Sequence, residues 1–361
     1  CQEITLPTTP IQDIHDEQGE IALCILSAVN VGALNDLSEL ENICDLSVRA
    51  LEQIIDYQDY PVKAAEVSTK KRRSLGIGYI GLAHYLAKNN VKYSDPEAWA
   101  LVDRLSEAFQ YYLLRSSCDI AMEKGKCEGF ERTKYADGLL PIDHYKKDVD
   151  EIVPHKQRMA WESLRKDIAK YGLRHSTLSA QMPSESSSVV SNETNGIEPP
   201  RALLSIKKSK KGPLKQIVPE FQKLKNDYTL LWEMPSNEGY INVVAMMQKY
   251  FDQAISGNWS YNPLQYENNE VPLSAMAQDM LTAYKMGWKT SYYQNTYDFK
   301  GEEDDVQPAG LSAVVQEEEG EDVELANSDT PVVNGHGRVN GQTNISTVAA
   351  DEDGECEACT I

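Results

Sequence analysis

Apolar residues recur at helical spacing in some parts of the chain and form short continuous runs in others. Positions 40, 44, 48, 51 and 55 are apolar at spacings of 4, 4, 3 and 4, which predicts an amphipathic helix. The apolar run that precedes it, residues 21–34, is typical of a buried strand. Further helical patterns lie near 155–171, 240–256 and 273–286, and short β-type runs lie at 176–181 and 288–293.

A long helix is predicted over residues 95–124. Asp95 or Ser94 can cap its start, Pro96 occupies its first turn, and Gly125 ends it. Because β-type and helical segments alternate along the chain, the predicted fold class is α/β, a sheet or barrel with helices outside.

The negative charge is concentrated at the end of the chain. Residues 301–361 hold 16 of the 56 acidic residues and one of the 35 basic ones, so they carry −15 of the net charge of −21. They contain no Phe, Trp or Tyr, so they cannot bury enough apolar surface to offset the entropy lost on ordering. We therefore predict a folded body over 1–300 and a disordered acidic tail over 301–361.

The composition argues against several classes of protein. The net charge of −21 disfavours nucleic acid as a partner, and the chain has no run of 18 apolar residues to cross a membrane. No basic start is followed by an apolar stretch, and seven cysteines are too few for a disulfide scaffold in 361 residues. A cytoplasmic protein with reduced thiols is expected.

The chain starts with Cys1 rather than Met. Removal of an initiating Met, a partial sequence, cleavage of a longer chain, or a protein-splicing junction would each give such a start. In splicing, the side chain of the residue after the intein is the nucleophile, and Cys satisfies that chemistry. A truncated or split chain is expected.

Three glycines, Gly76, Gly78 and Gly81, have the spacing of the dinucleotide-binding fingerprint. That fingerprint requires a strand before it and a helix after it. The preceding residues, 69–74, do not read as a buried strand. Close packing of a helix against the backbone is therefore favoured, with the basic residues 70–73 as a solvated face.

A short apolar run leads into Met182-Pro-Ser-Glu-Ser-Ser-Ser188. Ser184 is a good helix N-cap, and Ser186 and Ser187 would then lie in the first turn. Free N–H groups, hydroxyls and the positive end of a helix suit a phosphate. An ordinary capped helix fits the same residues, and on these residues alone it is favoured.

Tyr292 and Tyr293 follow a β-type run near the end of the body. Adjacent residues on a strand point to opposite faces, which predicts one ring in the core and one on the surface. The pair permits a redox relay but does not demonstrate one.

Cys356 and Cys359 form a Cys-x-x-Cys pair near the end of the acidic tail. A zinc site would need two more ligands, and a thioredoxin-type site needs a folded βαβ unit. A flexible tether of about 55 residues spans roughly 40 Å, so the pair can serve as a mobile reductant; incidental cysteines are the alternative.

No metal site is predicted, and the remaining cysteines are expected to be structural: Cys24, Cys44, Cys118 and Cys127.

Many stretches of the sequence together resemble one known family. They are Glu3-Ile-Thr-Leu-Pro-Thr8, Gly19-Glu-Ile-Ala-Leu-Cys24, Asp56-Tyr-Gln-Asp-Tyr-Pro61, Arg72-Arg-Ser-Leu-Gly-Ile-Gly78, Tyr111-Tyr-Leu-Leu114, Gly172-Leu-Arg-His-Ser-Thr-Leu178, Met182-Pro-Ser-Glu-Ser186, Asn195-Gly-Ile-Glu-Pro-Pro200, Leu231-Trp-Glu-Met234 and Tyr292-Tyr-Gln-Asn295. In this order they resemble the C-terminal portion of the large (α) subunit of class I ribonucleotide reductase, as found in bacteria and phages.

The resemblance implies a fold and a reaction. The fold would be the downstream part of a ten-stranded α/β barrel, with a small α/β subdomain at about 140–205 and the disordered acidic tail. The reaction would be the reduction of ribonucleoside diphosphates to 2′-deoxyribonucleoside diphosphates by radical chemistry, for DNA precursor synthesis. The dinucleotide interpretation of Gly76–Gly81 fails on this resemblance.

The resemblance also implies roles for particular residues. Cys1 would be one of two active-site cysteines that reduce the ribose and end as a disulfide. Tyr292 and Tyr293 would pass the radical. Cys356 and Cys359 would re-reduce the active site and be reduced in turn by thioredoxin or glutaredoxin. The loop that holds the substrate diphosphate would comprise Pro183, Ser184, Glu185, Ser186 and Ser187.

Other parts of the enzyme are expected outside this chain. The thiyl-radical cysteine, the partner of Cys1 and the ATP/dNTP effector sites are implied upstream, so this segment alone is expected to be inactive. A metal-containing small subunit would supply the radical, the large subunit would be a homodimer, and the chain itself would hold no cofactor. The alternatives are a non-catalytic assembly piece of that complex and a nicotinamide-binding enzyme, which would bind its cofactor alone.

Overall fold

The structure, a computed structural model, describes residues 2–209 and 212–297, with the backbone alone for 206–209 and 212–214. The strands are β1 Ile25–Asn30, β2 Leu75–Ile80, β3 Leu204–Ser209, β4 Gly212–Ile217, β5 Gly257–Tyr261 and β6 Ser291–Thr296. The helices are α1 Glu39–Tyr57, α2 Lys63–Arg72, α3 Leu82–Lys88, α4 Pro96–Lys124, α5 Pro141–His144, α6 Trp161–Tyr171, α7 Glu185–Val190, α8 Phe221–Leu224, α9 Glu238–Gln248 and α10 Leu273–Lys285. Short 3₁₀ helices lie at Val31–Ala33, Glu128–Arg132, Lys147–Glu151, Leu231–Glu233, Pro263–Gln265 and Glu267–Asn269.

Five parallel β segments lie side by side in chain order. Strand β1 pairs with β2, and β5 pairs with β6, both in parallel. Between these pairs, Ile77 of β2 forms a parallel bridge with Ser179, and Gln181 forms one with Ile255, just ahead of β5. The predicted α/β fold is confirmed, and among the described residues the strands form an open arc rather than a closed barrel. An antiparallel hairpin, β3–β4, is separate from this arc.

The glycines of the dinucleotide-like motif serve close packing within the arc. Gly76 and Gly78 lie inside β2, not in a turn after it. A Cβ at Gly76 would lie 2.7 Å from a methyl carbon of Leu26, and one at Gly78 would lie 2.6 Å from the carbonyl oxygen of Ala180. Gly81, with φ of +78°, turns the chain from β2 into α3. Close packing is confirmed, although the main partners are neighbouring strands rather than a helix.

The basic residues before β2 are not a solvated face throughout. Arg72 and Arg73 are buried, and each pairs with a buried carboxylate: Arg72 with Glu20 at 2.7 Å and Arg73 with Glu52 at 2.7 Å. The expectation of a solvated face is therefore wrong for these two arginines. A buried charge is tolerated when a partner and hydrogen bonds replace its lost hydration.

The two longest helices form as predicted and pack on each other. The five predicted apolar positions of α1 are all buried, and the Cys44 thiol lies 4.0 Å from the carbonyl oxygen of Phe109 on α4. Helix α4 begins at Pro96 and ends before Gly125, whose φ is +86°. Asp95 is at the N-cap position, but its carboxylate accepts the N–H of Lys92 rather than one of the helix.

Other predicted elements differ in extent. The helix expected near 155–171 begins only at Trp161, because the N–H groups of Arg158 and Met159 donate to the Glu107 carboxylate instead. The helix expected over 240–256 ends at Gln248, since the chain beyond it joins the sheet. The run at 176–181 contributes bridges rather than a named strand. The subdomain at about 140–205 and the boundary at 300 stay predictions.

The buried cluster of Glu52 with His175, Arg73 and Arg174 should make the folded chain less stable in acid. Burial alone would raise the pKa of Glu52, but hydrogen bonds from His175, Arg73 and Arg174 outweigh it and hold that pKa at about 2. Burial lowers the pKa of His175, and Glu52 offsets this only in part. As the pH falls below 6.5, His175 takes up a proton more readily in the unfolded chain than in the folded chain. Between about pH 4.5 and 2, Glu52 is protonated in the unfolded chain but still ionised in the folded chain.

We expect the free energy of unfolding to fall as the pH is lowered through both ranges. The contribution of Glu52 is on the order of 3 kcal/mol at neutral pH and disappears as the pH approaches 2. Urea unfolding at a series of pH values measures this slope. The variant Glu52→Gln should flatten it, whereas Glu123→Gln, which removes a half-exposed carboxylate paired with Arg49, should not. Equal slopes in Glu52→Gln and the unsubstituted chain would contradict the prediction.

No helix within the described residues is long and apolar enough to cross a membrane.

Candidate functional site

Loops converge at the carboxyl ends of the parallel strands, where α/β sheets usually bind ligands. The N–H of Gly81 donates to the carbonyl of Thr194, and the N–H of Leu82 donates to that of Gly196. These bonds attach the segment that follows α7 to the end of β2. Helix α7 itself begins within the predicted substrate loop, so the loop lies at this edge of the sheet.

The start of that loop is fixed by one buried amide side chain. The Oε1 of Gln181 accepts the N–H of Tyr79 at 2.7 Å, and its Nε2 donates to the carbonyl of Met182 at 2.8 Å. On the far side, a Cβ at Gly196 would lie 2.9 Å from the carbonyl oxygen of Pro183. The backbone of Pro183 is therefore held between β2 and the segment that follows α7.

The predicted helix start is confirmed, and the predicted side-chain cap is wrong. Ser184 precedes α7 but adopts a left-handed conformation, with φ of +59°. Its hydroxyl donates to the carbonyl of Met182 instead of accepting a helix N–H. Pro183, Ser184 and Glu185 are half-buried. Ser186 and Ser187 are exposed in the first turn, where a ligand could reach their hydroxyls.

Tyr292 and Tyr293 lie together, not on opposite faces of β6. Their ring centroids are 3.9 Å apart, and the hydroxyl of Tyr292 donates to that of Tyr293 at 3.0 Å. The cause is a bulge: Gly257 pairs with Ser291 and Trp259 with Gln294, so one residue of β5 faces two of β6. A bulge interrupts the alternation of side chains along a strand. The expectation of one core ring and one surface ring is therefore wrong.

Cys24 differs from the other described cysteines. Cys44, Cys118 and Cys127 are buried, as expected for structural residues, whereas Cys24, just ahead of β1, is half-buried. Burial and the nearby Glu3 carboxylate both raise the pKa of the Cys24 thiol. Cys24 is therefore less buried than expected, and its structural role stays a prediction.

Residues 2–5 cross the arc of strands near its middle. The N–H of Ala254 donates to the carbonyl of Glu3 at 2.7 Å, and the side chain of Ile4 contacts β2 at Gly76. The buried Glu3 carboxylate accepts the hydroxyl of Ser256 at 2.5 Å. Sequence analysis did not single out Glu3 and expected a structural role for Cys24. The available signal was their position within two of the stretches that carry the family resemblance.

Several predicted site residues lie outside the described part of the chain. They are Cys1, which directly precedes Gln2, and the tail pair Cys356 and Cys359. Within residues 2–209 and 212–297, no group of three His, Cys, Asp or Glu side chains could hold a metal ion. The arrangement that is present combines a half-buried thiol under the charge of a buried carboxylate, a polar loop at the strand ends and two phenols in contact.

This arrangement defines an α/β protein with an arc of parallel strands and side chains suited to thiol and phenol redox chemistry. Comparison with known proteins then gives the family. The model described as "Ribonucleotide reductase, barrel domain" matches residues 1–294. The chain belongs to the ribonucleotide reductase family.

Curated relatives agree with this assignment. The chain is 58% identical over 298 residues to the "Ribonucleoside-diphosphate reductase subunit alpha" of Haemophilus influenzae, which covers 82% of this chain and 39% of the relative. It is 56% identical to the protein of that name from Buchnera aphidicola subsp. Schizaphis graminum, with the same coverage. It is 53% identical over 310 residues to the "Ribonucleoside-diphosphate reductase 1 subunit alpha" of Escherichia coli, covering 86% of this chain and 41% of that protein. The chain thus spans about two fifths of the length of these relatives.

Proposed function

We propose that this chain is the C-terminal segment of the large subunit of a ribonucleoside-diphosphate reductase and supplies part of its catalytic site. The observation that carries the proposal is the contact between Tyr292 and Tyr293. Two phenols with ring centroids 3.9 Å apart and hydroxyls 3.0 Å apart can pass an electron and a proton from one to the other. Such a pair is of use to an enzyme that moves a radical, and it lies on the last strand of the arc.

The reaction balances with two thiols as the reductant. A cysteine thiyl radical takes the 3′-hydrogen of the ribose, the 2′-hydroxyl leaves as water, and a dithiol gives two electrons and two protons. The 3′-hydrogen then returns to the ribose and the thiyl radical is restored. The net change is ribonucleoside diphosphate plus two thiols to deoxyribonucleoside diphosphate, a disulfide and water.

The residues around Glu3 would form the thiol part of the site. Cys1 supplies one active-site thiol. Cys24 is a second candidate within this chain, in addition to cysteines expected upstream, because it is half-buried and close enough to Glu3 for the carboxylate to raise its thiol pKa. The buried Glu3 carboxylate accepts a hydrogen bond from the Ser256 hydroxyl, and in the same way it could accept a hydrogen bond or a proton from a substrate hydroxyl.

The loop of Pro183, Ser184, Glu185, Ser186 and Ser187 would bind the substrate diphosphate. Ser186 and Ser187 offer exposed hydroxyls beside the free N–H groups at the start of α7. The buried Gln181 and the close contact at Gly196 hold this loop at the end of the sheet, which is where parallel α/β folds bind substrate.

The remaining partners follow from the same proposal. An upstream segment completes the subunit and carries ATP and dNTP effector sites, and two large subunits form a homodimer. A metal-containing small subunit supplies the radical, and thioredoxin or glutaredoxin supplies electrons in the cytoplasm. The nicotinamide alternative loses support, because Gly76 and Gly78 lie inside β2 and form no phosphate-binding turn.

Reconstitution of the complete enzyme tests the proposal. This chain, joined to the upstream segment and mixed with the small subunit, should convert a ribonucleoside diphosphate to its deoxy form. No activity with any reductant, despite intact assembly, would contradict the proposal and favour the non-catalytic assembly piece.

The tail cysteines give a sharper prediction. The double variant Cys356→Ser/Cys359→Ser should lose activity with thioredoxin and keep it with dithiothreitol, a small thiol that reaches the active site without a tether. Thiol exchange needs a thiolate, and serine offers none. The control Thr360→Ser changes the same tip without removing a thiol and should behave as the unsubstituted enzyme. Equal activity of the double variant with both reductants would contradict the shuttle.

A further inference from the structure

One residue of the neighbouring strand contacts the bulge that brings Tyr292 and Tyr293 together. The bulge of β6 places Asn258 of β5 opposite both tyrosines. An extra residue in one strand disrupts the ladder and leaves backbone groups without their regular partners. The side chain of Asn258 compensates: its Oδ1 accepts the N–H of Tyr293 at 2.9 Å.

The same side chain also acts on the half-buried carboxyl group of Glu198. Burial raises the pKa of Glu198, and a hydrogen bond from the Asn258 side chain and the charge of Arg201 partly offset this. The charge of Glu185, in the proposed substrate loop, acts on Glu198 as well. Asn258 therefore lies between the tyrosine pair and the segment that follows the substrate loop.

The geometric link is the one to the tyrosine. The amide oxygen of Asn258 accepts the N–H of Tyr293 at 2.9 Å and so ties the Tyr293 backbone to β5. The Glu198 carboxyl group acts on the same amide. Tyr293 is 38% exposed, and the hydrogen bond from its backbone to Asn258 ties it to the neighbouring strand.

We propose that Asn258 is a positioning residue for radical transfer: its side chain holds the bulge that brings the rings and hydroxyls of Tyr292 and Tyr293 together. The inference rests on the proposed function, because positioning matters for catalysis only if the pair carries a radical. Electron and proton transfer between two phenols requires their hydroxyls to stay within hydrogen-bond distance. Loss of the Asn258 contact would let Tyr293 return to regular alternation and move its hydroxyl away.

The test uses the complete enzyme with dithiothreitol as reductant, so that the tail is not needed. Asn258→Ala should lower kcat by at least about tenfold and leave KM for the diphosphate unchanged, because a displacement of about 1 Å can cost up to about 100-fold. Ser260→Ala, which removes a polar side chain from the same face of β5, is the matched control and should leave kcat unchanged. The double variant Asn258→Asp/Glu198→Gln should recover activity. In this variant a carboxylate oxygen of residue 258 still accepts the N–H of Tyr293. The donor is now the Gln amide at position 198, and the acceptor is the Asp carboxylate at position 258.

A spectroscopic readout separates positioning from a general structural effect. 3-Fluorotyrosine at position 293 should give one ¹⁹F resonance, which shifts or broadens in Asn258→Ala and returns in the double variant. An unchanged resonance, or a kcat within twofold of the unsubstituted enzyme, would overturn the inference.

If the unsubstituted enzyme proves inactive, the proposed function fails, and the ¹⁹F comparison alone still decides whether Asn258 positions Tyr293. If Asn258→Ala does not fold, the double variant decides: recovery supports the inference and loss of the native resonance overturns it.

Discussion

Replacement of either Tyr292 or Tyr293 by Phe is expected to reduce deoxyribonucleotide formation to the background of the assay. Phe keeps the ring and its stacking but has no O–H, so the hydrogen bond of 3.0 Å between the two hydroxyls is lost. A benzene ring is also much harder to oxidise than a phenol and has no proton to release. Each variant is expected still to bind the diphosphate and the small subunit, so that the loss falls on radical transfer alone.

The measurement is product formation by the complete enzyme with dithiothreitol, alongside a binding assay for the small subunit. Tyr57→Phe is the matched control, because Tyr57 lies on α1 and is 92% exposed, far from any packed contact. It should retain full activity. A loss of less than about tenfold in Tyr292→Phe, equal to about 1.4 kcal/mol in the barrier, would show that the pair is not an obligatory relay.

The tyrosine pair also shows where sequence reasoning reaches its limit. Two adjacent tyrosines on a regular strand point to opposite faces. No residue pattern in the sequence indicates the register shift between Gly257 and Trp259 that brings them together. The bulge is a property of two strands together, and its support, Asn258, lies 35 residues earlier in the chain. Local periodicity cannot contain that information.

The elements that were predicted well are those whose signals are local. Helix α4 carries Pro96 at its start and Gly125 after its end, and both act on their own backbone. The burial of Arg72 and Arg73 was missed because their partners, Glu20 and Glu52, lie elsewhere in the chain and pairing decides burial. The sequence of a basic run such as residues 70–73 is the same whether its side chains are buried or exposed to solvent.

Removing one partner of the buried ion pair between α4 and the residue directly after α9 should lower the free energy of unfolding strongly. The side chains of Asp103 and Lys249 are both fully buried, and Lys249 Nζ lies 3.2 Å from Asp103 Oδ1. The hydroxyl of Tyr250 and the guanidinium of Arg158 also donate to this carboxylate. Asp103→Ala would leave Lys249 with only Asp150, at 3.3 Å, as its carboxylate partner among the described residues. We expect a loss of about 3–5 kcal/mol in the free energy of unfolding.

Urea unfolding followed by circular dichroism measures this loss, and the same substitution elsewhere on α4 provides the control. Asp119 pairs with Arg115 one turn away, with a side chain that is 42% exposed, so Asp119→Ala should cost only about 0.3–0.5 kcal/mol. A cost below about 1 kcal/mol for Asp103→Ala would contradict the prediction. The double variant Asp103→Ala/Lys249→Met, which keeps the truncation at 103, adds a second criterion. If the cost of Asp103→Ala arises from an uncompensated buried charge, removing both charges should restore most of the stability. If it arises from lost packing between α4 and α9, the double variant should be no more stable than the single one.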